Sequence, residues 1–345
     1  MGLTLILIAG AAFALRLLGA SRWAQGAVVA ISLAFVVLVQ LTLPPTSALR
    51  VATGGSLANW LILLAVLAVV GAYSFGIKAL KQRAEDRVEP VQKTDKLSET
   101  ELDRYARHIV LREIGGPGQQ KLRKARVLVV GAGGLGAPVL QYLAAAGVGT
   151  IGVIDDDIVS LSNLQRQVLF SEDELDTPKV FAAQKRLKGL NPFVEVQPYN
   201  RRITEENSAE LVGAYDLVLD GTDSFATRAL VNKACVAAGV PLVSGAIGQW
   251  EGQVTVFDPA HGDPCYACLF PEEPADGLAP SCAEAGVVGA LPGIIGSMMA
   301  AEAIKEITGA GQVLRGSMLI FDALYGESRK IQIERRDGCA VCGGI

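Results

Sequence analysis

The sequence predicts an α/β protein in which a doubly wound, Rossmann-like and mostly parallel sheet with a structural zinc site is preceded by transmembrane helices. Three observations lead to this fold class. From Leu102 onward, apolar strands alternate with helices, which is the pattern of βαβ units. Two C-x-x-C pairs have the spacing of a zinc site. Long apolar runs occupy the first 80 residues.

Charge is distributed very unevenly along the 345 residues. Half of the chain is hydrophobic and its mean hydropathy is +0.36, although aromatic residues make up only 6%. Residues 1–84 contain six of the 31 basic residues and none of the 35 acidic ones, which leaves a net charge of −10 on the remainder. Because such a domain would repel a phosphate backbone, we expect no nucleic acid partner.

Residues 1–80 are predicted to form a membrane anchor of about three transmembrane helices. The apolar runs are Leu3–Leu18, Ala27–Leu43 and Trp60–Ile77. A span needs about 17 to 25 apolar residues, so the first run is marginal and two spans are the alternative. Basic residues crowd the end of the third run, and the positive-inside rule then places the amino terminus outside. We therefore expect a multi-pass protein of the cytoplasmic (inner) membrane, with the following domain in the cytoplasm.

Residues 81–100 are predicted to be a charged linker, and residues 101–345 to form the α/β domain. The apolar stretch Gly286–Ile307 resembles a further span, but Pro292 and Glu302 favour a helix packed inside the domain. The strands predicted in the domain are 126–130, 149–155, 193–200, 215–220, 241–246 and 251–258.

A glycine-rich loop directly after the first strand predicts a nucleotide site. Missing side chains let backbone N–H groups approach phosphate oxygens at the positive end of a helix. Asp155 ends the next strand, where a carboxylate accepts hydrogen bonds from ribose hydroxyls. The structural alternative is that the glycines serve tight packing only. The glycines of this G-x-G-G-x-G loop are Gly131, Gly133, Gly134 and Gly136.

Polar and charged residues after the later strands favour ATP over NAD. Lys179 follows the second strand, and Asp223 follows the strand YDLVLD. A reaction that splits a triphosphate needs cations opposite the developing phosphate charge and a carboxylate for Mg²⁺, whereas hydride transfer needs no extra cations. Each residue alone would be a solvated surface charge. The segment between Asp155 and Lys179 adds Ser162, Asn163, Leu164, Gln165, Arg166 and Gln167.

Four of the six cysteines form two C-x-x-C pairs, Cys265 with Cys268 and Cys339 with Cys342. Two such turns complete a tetrahedron of thiolates around zinc, and a closed set of four ligands makes the metal structural. Disulfides are the alternative, but the predicted topology places these thiols in the reducing cytoplasm. Cys235 is predicted to be a core residue. Cys282 lies in a Pro- and Glu-rich stretch, which predicts a loop. Its thiol is either exposed near the nucleotide or has no function.

Several motifs in this order resemble the MoeB/ThiF/HesA family of adenylyltransferases, bacterial relatives of ubiquitin-activating enzymes. The resemblance covers about residues 100–345 and leaves the anchor outside it. It implies ATP- and Mg²⁺-dependent adenylation of the terminal glycine of a ubiquitin-fold sulfur carrier ending in Gly-Gly, with release of pyrophosphate. The motifs are RYARHIVLREIGGPGQQKL, the glycine loop, IDDDIVSLSNLQRQVLF, DTPK, DGTDSFATR, PLVSGAIGQWEGQVTVF, CYAC, CAEAGVVG and CAVC.

The resemblance also implies roles for individual residues. Gly134, Asp155, the segment 162–166 and Lys179 match the family's ATP-binding positions. Asp223 matches its carboxylate at the phosphates and Mg²⁺, and is followed by Ser224 where the family often has Asn. Arg107 matches an arginine that reaches into the partner's site, which implies a homodimer. Arg166, Lys179 and Arg107 would offset triphosphate charge. Cys282 matches a crossover-loop cysteine whose catalytic role stays open.

Within the family, SLSNLQRQ, EGQVTVF and CAEAGV favour a MoeB-like role, with a MoaD-like carrier of molybdenum cofactor biosynthesis, over a ThiF-like role in the thiazole pathway. Only three residues follow Cys342, so we expect a separate sulfur donor. Two other classes remain as alternatives. One is a membrane-tethered, NAD-binding oxidoreductase, and the other is a non-catalytic scaffold that binds a ubiquitin-like partner.

Overall fold

In the computed structural model of the chain, residues 2–17, 22–54, 56–86, 96–272 and 285–344 are described. The chain divides into two units, residues 1–92 and 93–345. The boundary falls within the predicted linker. Helix α4 of the first unit continues to Asp86, into the segment predicted as linker. Residues 87–95 lie outside the described part.

The first unit is helical. Two of its helices are long and apolar enough to cross a membrane, over Ala24–Thr42 and Leu57–Ile77, whereas the apolar part of the first helix, Gly2–Arg16, is shorter. The first predicted span, Leu3–Leu18, is therefore matched only by a helix shorter than a full span. The helices are α1 (Gly2–Leu17), α2 (Arg22–Thr42), α3 (Ala48–Thr53) and α4 (Leu57–Asp86).

A polar network ties α1 and α2 to the short helix α3. The Thr4 hydroxyl donates to the carbonyl oxygen of Thr53 at 2.8 Å. The buried Gln40 amide donates to the Thr53 hydroxyl at 3.0 Å. Arg50 Nη1 donates to the carbonyl oxygen of Leu43 at 2.6 Å. Because the start of α1 meets the connection between α2 and α4, α1 and α2 run in opposite directions.

The second unit is an eight-stranded sheet with helices on both faces. The strands are β1 (Arg126–Val130), β2 (Thr150–Ile154), β3 (Glu195–Tyr199), β4 (Leu217–Asp220), β5 (Leu242–Ile247), β6 (Glu251–Phe257), β7 (Ser317–Asp322) and β8 (Glu327–Gln332). The helices are α5 (Glu99–Ile109), α6 (Gly115–Lys124), α7 (Gly136–Ala146), α8 (Lys179–Leu190), α9 (Glu205–Gly213), α10 (Phe225–Ala238), α11 (Tyr266–Leu269) and α12 (Ala290–Thr308).

The strand order is β3-β2-β1-β4-β5-β6-β7-β8. The first five strands are parallel, and β6, β7 and β8 continue the sheet in antiparallel pairing. All six predicted strands are present, so the predicted mostly parallel, doubly wound sheet is confirmed. The sequence analysis missed β7 and β8. Every residue of β8, ESRKIQ, is exposed, so this edge strand has no apolar run to reveal it.

Alternate residues of β1 face the two cores. Val127 and Val129 belong to one buried cluster, and Leu128 and Val130 belong to the other, as the two-residue period of a strand requires. Because each cluster is covered by helices, β1 is apolar on both faces, which is typical of a parallel sheet. The connections from β1 lead to β2 on one side, and the chain returns to β4 on the other. Strand order therefore reverses beside β1, where α/β folds place their binding crevice.

Helix α12 packs against the sheet and α7, as predicted for the Gly286–Ile307 stretch. Leu291, Ile295 and Met299 are fully buried at a spacing of four residues. Its Gly296 lies so close to α7 that an added Cβ would be 2.4 Å from Pro138 Cγ. The apolar character of this stretch thus serves the domain core.

We predict that Gly296→Ala destabilises the second unit by about 1–3 kcal/mol, because a methyl group has no room against α7. Gly293→Ala is the matched control on the same helix, since nothing lies within 4 Å of its added Cβ. That control should be neutral or stabilising by up to about 1 kcal/mol, from the higher helix propensity of alanine. Urea denaturation of the purified proteins in detergent measures both; equal stabilities would contradict the close approach.

Candidate nucleotide site and metal centre

The glycine loop joins β1 to α7 in a tight turn. Gly131 has φ of +89°, in the left-handed region that favours glycine. A Cβ added to Gly136 would lie only 1.9 Å from the carbonyl oxygen of Gly131, so no side chain fits there. The turn leads directly into the first N–H groups of α7, which have no helical acceptors and favour anions.

Asp155 follows β2 and fixes the glycine loop. Its Oδ2 accepts a hydrogen bond from Ala132 N at 2.7 Å, and its Oδ1 accepts one from Asp157 N at 2.8 Å. Burial raises the pKa of Asp155, whereas the Lys179 ammonium and the two N–H donors lower it. Each carboxylate oxygen keeps acceptor capacity beyond these bonds, which is what a ribose hydroxyl requires.

Lys179 begins α8 and is almost completely buried. Its Nζ lies 2.8 Å from Asp157 Oδ2, and its backbone N donates to the carbonyl oxygen of Asp157 at 2.9 Å. The exposed Asp157 carboxylate therefore balances this ammonium in the absence of another anion. A phosphate that entered the site would compete with Asp157 for the same cation.

Arg166 follows a short 3₁₀ turn, Leu161–Asn163. Its Nη2 donates to Asn163 Oδ1 at 2.8 Å, and its Nη1 donates to the carbonyl oxygen of Ser162 at 3.3 Å. Neither partner is charged. The guanidinium is therefore positioned by neutral acceptors and its charge is free to meet an anion.

Asp223 lies between β4 and α10 and is exposed. Ser224, the N-cap of α10, accepts a hydrogen bond from Thr227 N at 3.3 Å. The preceding turn is held by Asp220, which is fully buried and accepts hydrogen bonds from the backbone N and the hydroxyl of Thr222 at 2.9 and 2.7 Å. The Asp223 carboxylate thus stands next to the positive end of a helix.

These elements surround one cavity of about 530 Å³. The predicted site residues that line it are Gly131, Gly133, Gly134, Asp155, Asn163, Arg166, Lys179, Asp223 and Ser224. Among the described residues, Gly136, Ser162, Leu164, Gln165 and Arg107 do not line it. Cys282 lies outside the described residues. Four of the nine charged residues described along the cavity were predicted, namely Asp155, Arg166, Lys179 and Asp223. The ATP contacts expected of the whole segment 162–166 stay a prediction.

Other lining residues were missed by the sequence analysis. They are Arg201, Arg202, Thr222, Arg228, Tyr266 and Phe270, with others. Arg201 and Arg202 follow β3 and Arg228 lies inside α10, where a charged residue is typical of a solvated helix. Only the position of Arg201 and Arg202 directly after β3 indicates that they line the cavity, because the turns after β2 and β3 meet at the same edge of the sheet.

The two C-x-x-C turns meet in a buried cluster. The Sγ atoms are 3.9 Å apart for Cys265 and Cys268, 3.7 Å for Cys265 and Cys339, and 3.5 Å for Cys268 and Cys342. A tetrahedral zinc ion with Zn–S bonds of about 2.3 Å would need sulfur atoms about 3.8 Å apart. The four thiols therefore fit zinc closely and are preformed for it.

The cluster also contacts the rest of the domain. Tyr266, which follows Cys265, lines the cavity, and its backbone N donates to the buried Asn232 Oδ1 at 2.9 Å. Cys235 lies on the same helix as Asn232 and is 2% exposed, so its predicted core position is confirmed. Burial raises the pKa of the Cys235 thiol, which keeps it protonated and unreactive.

Comparison with known proteins decides the family. Residues 105–341 match the model of the ThiF family. The chain belongs to the ThiF family. It is 54% identical over 247 residues to the sulfur carrier protein adenylyltransferase of Thermus thermophilus, covering 70% of this chain and 91% of that protein. It is 48% identical over 247 residues to the SAMP-activating enzyme E1 of Haloferax volcanii, covering 72% and 91%.

A longer relative and a solved structure are also similar to this chain. The pig protein named adenylyltransferase and sulfurtransferase MOCS3 is 47% identical over 257 residues, which are 74% of this chain and 56% of that protein. The crystal structure of E. coli MccB with MccA-N7isoASN matches with a TM-score of 0.62 and 26% identity, covering 70% of this chain and 75% of that one. The predicted family and the predicted class, adenylyltransferase, are confirmed. An oxidoreductase is thereby disfavoured.

We predict that the purified ThiF-family chain holds about one zinc ion, because four preformed thiolates make one closed site. Cys265→Ser should lose that metal. Cys235→Ser is the matched control, since this cysteine lies outside the cluster, and it should retain the zinc. Metal analysis by mass spectrometry measures all three proteins; an unchanged zinc content in Cys265→Ser would refute the site.

Proposed function

We propose that this chain adenylates the terminal glycine of a ubiquitin-fold sulfur carrier, using ATP and Mg²⁺ and releasing pyrophosphate. One observation carries the proposal: the glycine loop, Asp155, Arg166, Lys179 and Asp223 converge on a single cavity at the strand-order reversal. The likeness to a sulfur carrier protein adenylyltransferase over 70% of the chain supports the substrate class.

The reaction is mainly a matter of position and charge. A carboxylate oxygen of the carrier attacks the α-phosphorus and forms a C–O–P bond, while the bond from that phosphorus to the bridging oxygen breaks and pyrophosphate leaves with the electron pair. Asp155 orients the ribose, and Arg166 and Lys179 offset phosphate charge. Asp223 would hold Mg²⁺, which supplies further charge neutralisation when bound. No step requires a poised histidine.

The carrier is of the MoaD type in this proposal, which assigns the enzyme to molybdenum cofactor biosynthesis. The second candidate is a carrier of the thiazole pathway. The relative from Haloferax volcanii is named for a different carrier, SAMP, so the same family fold serves several partners. We also propose that the sulfur comes from a separate donor.

Arg107 acts in the partner's site of a homodimer in this proposal. It lies on α5, is exposed and does not line the cavity of its own chain. An exposed arginine outside the wall of its own cavity is available to a site of another copy. Zinc has a structural role, since four thiolates leave no open coordination position. Cys282 remains a candidate for covalent chemistry with the carrier.

We further propose that residues 1–80 anchor the enzyme as a multi-pass protein in the cytoplasmic membrane. The two long apolar helices supply two spans. The third is α1, which runs antiparallel to α2 and whose Thr4 meets the connection after α2. An odd number of spans places the amino terminus outside and the catalytic unit in the cytoplasm, in agreement with the basic residues after the last span.

We predict that the detergent-purified full chain catalyses carrier-dependent ATP/pyrophosphate exchange, with a MoaD-type carrier more effective than a thiazole-type one. Asp223→Asn should lower the exchange rate by about 100-fold or more, because it removes the charge that holds Mg²⁺. Glu210→Gln, an exposed change on α9, is the control and should leave the rate unchanged. NADH binding without stimulation by either carrier would refute adenylation.

The topology makes a separate prediction. Gly2→Cys should react with a membrane-impermeant maleimide in intact cells, because three spans put the amino terminus outside. Lys96→Cys should react only after lysis, because it precedes the catalytic unit. If both positions react only after lysis, the chain has two spans and the amino terminus is cytoplasmic. The unaltered protein, whose cysteines all lie after residue 234, gives the background.

A further inference from the structure

Arg228 is a buried cation of the cavity that has no role in the reaction proposed for Arg166 and Lys179. It lies in the first turns of α10, is 6% exposed and lines the cavity. Its Nη2 donates to the carbonyl oxygen of Thr222. It forms no ion pair with any residue that the structure describes. Because a guanidinium remains charged and has five N–H donors, burying it without an anion costs free energy.

The other cations of the cavity are either paired with a carboxylate or accessible to water. Lys179 and Arg202 each pair with a carboxylate, at 2.8 and 3.3 Å. Arg166 is only partly buried and Arg201 is exposed, so water can solvate both. Among the described lining residues, Arg228 alone is a buried cation without a counter-charge. Its environment is therefore completed by an anionic ligand.

The strand order divides the cavity into two halves. The turns after β1, β2 and β3 supply the glycine loop, Asp155 and the cations Arg166 and Lys179, which form the nucleotide half. The other half is lined from β4, β5 and β6 and the helices that follow, by Thr222, Ser224, Phe225, Thr227, Ala246, Ile247, Gln253, Tyr266 and Phe270. Among the described residues of this second half, Arg228 is the only cation.

We propose that Arg228 binds the carboxylate that attacks ATP, and holds it beside the α-phosphorus. This inference rests on the proposed function. A carboxylate that approaches a triphosphate is repelled by like charge, and a guanidinium binds a carboxylate through two parallel hydrogen bonds. The positive end of α10 adds to the attraction. Arg228 neither gives nor takes a proton, so it offsets the repulsion and fixes the direction of attack.

The bond from Arg228 to Thr222 orients the guanidinium. Thr222 in turn is held through its backbone N and hydroxyl by the buried Asp220. The same turn carries Asp223, the proposed Mg²⁺ ligand. One buried carboxylate therefore positions both the group that meets the attacking carboxylate and the group that meets the metal.

The test compares a MoaD-type carrier that ends in a free carboxylate with the same carrier ending in a carboxamide. Both are titrated into the full chain in detergent by calorimetry, without ATP. We expect the unaltered protein to prefer the carboxylate by about tenfold or more, which is about 1.4 kcal/mol. Arg228→Gln should bind the two carriers equally, raise the carrier KM by about tenfold, and change the Kd for ATP by less than about twofold.

Arg201→Gln is the matched control, because it removes a cavity arginine from the nucleotide half and should leave the carboxylate preference intact. A full preference in Arg228→Gln, or a loss of ATP affinity with unchanged carrier affinity, would overturn the proposal. If Arg228→Gln fails to fold, Arg228→Lys keeps the charge without the paired donors. Its preference should then fall at least about threefold, and an unchanged preference would contradict the role of Arg228.

The two proposals fail in different ways. Absence of carrier-stimulated exchange in the unaltered protein contradicts the proposed function itself. Normal exchange in the unaltered protein, combined with an undiminished carboxylate preference in Arg228→Gln, contradicts only the assignment of Arg228.

Discussion

The hydrogen bond from Ala132 N to Asp155 Oδ2, 2.7 Å long, joins the ends of two neighbouring strands and determines the geometry of the nucleotide half of the cavity. It draws the turn after β1 toward the turn after β2. Through its other oxygen, Asp155 also holds Asp157, which in turn fixes Lys179 at the start of α8. Without a carboxylate at position 155, no side chain would link the glycine loop to Asp157 and, through Asp157, to the buried Lys179.

Asp220, a fully buried carboxylate, has the corresponding place on the other side of β1. Because β1 lies between β2 and β4, the two acids flank the strand at which the sheet order reverses. Each holds its own turn through backbone N–H groups, so both turns present charged side chains toward the same crevice. In the proposed reaction, this arrangement separates two anionic reactants: Arg166 and Lys179 offset the charge of the nucleotide, and Arg228 meets the attacking carboxylate.

How much of this site the sequence reveals depends on how far apart its residues lie along the chain. The glycine loop, Asp155 and the C-x-x-C pairs are local patterns, and local patterns can be read before the chain is folded. Arg228 ends the motif DGTDSFATR and Tyr266 lies within CYAC, but both line the cavity through the packing of α10 and α11, which neither motif shows by its sequence. Within the contiguous segment 162–166, Asn163 and Arg166 line the cavity, and the ATP contacts that the resemblance implies for its other members stay a prediction. Strand β8 was missed because an exposed edge strand has no need of an apolar run. This reason does not extend to β7, SMLIFD, which is partly buried between β6 and β8.

Arg50 bears on the orientation of the anchor. It is the only basic residue between the second and third apolar runs, and its guanidinium donates to the carbonyl oxygen of Leu43 and to the Gln40 amide oxygen. A cation bonded inside the helical unit interacts less with lipid headgroups than one in a free loop. The charge asymmetry that the positive-inside rule reads is therefore larger than the bare count of basic residues indicates. In the proposed topology, this asymmetry favours the cytoplasmic side for the unit that follows α4, where ATP and reduced thiols are both available.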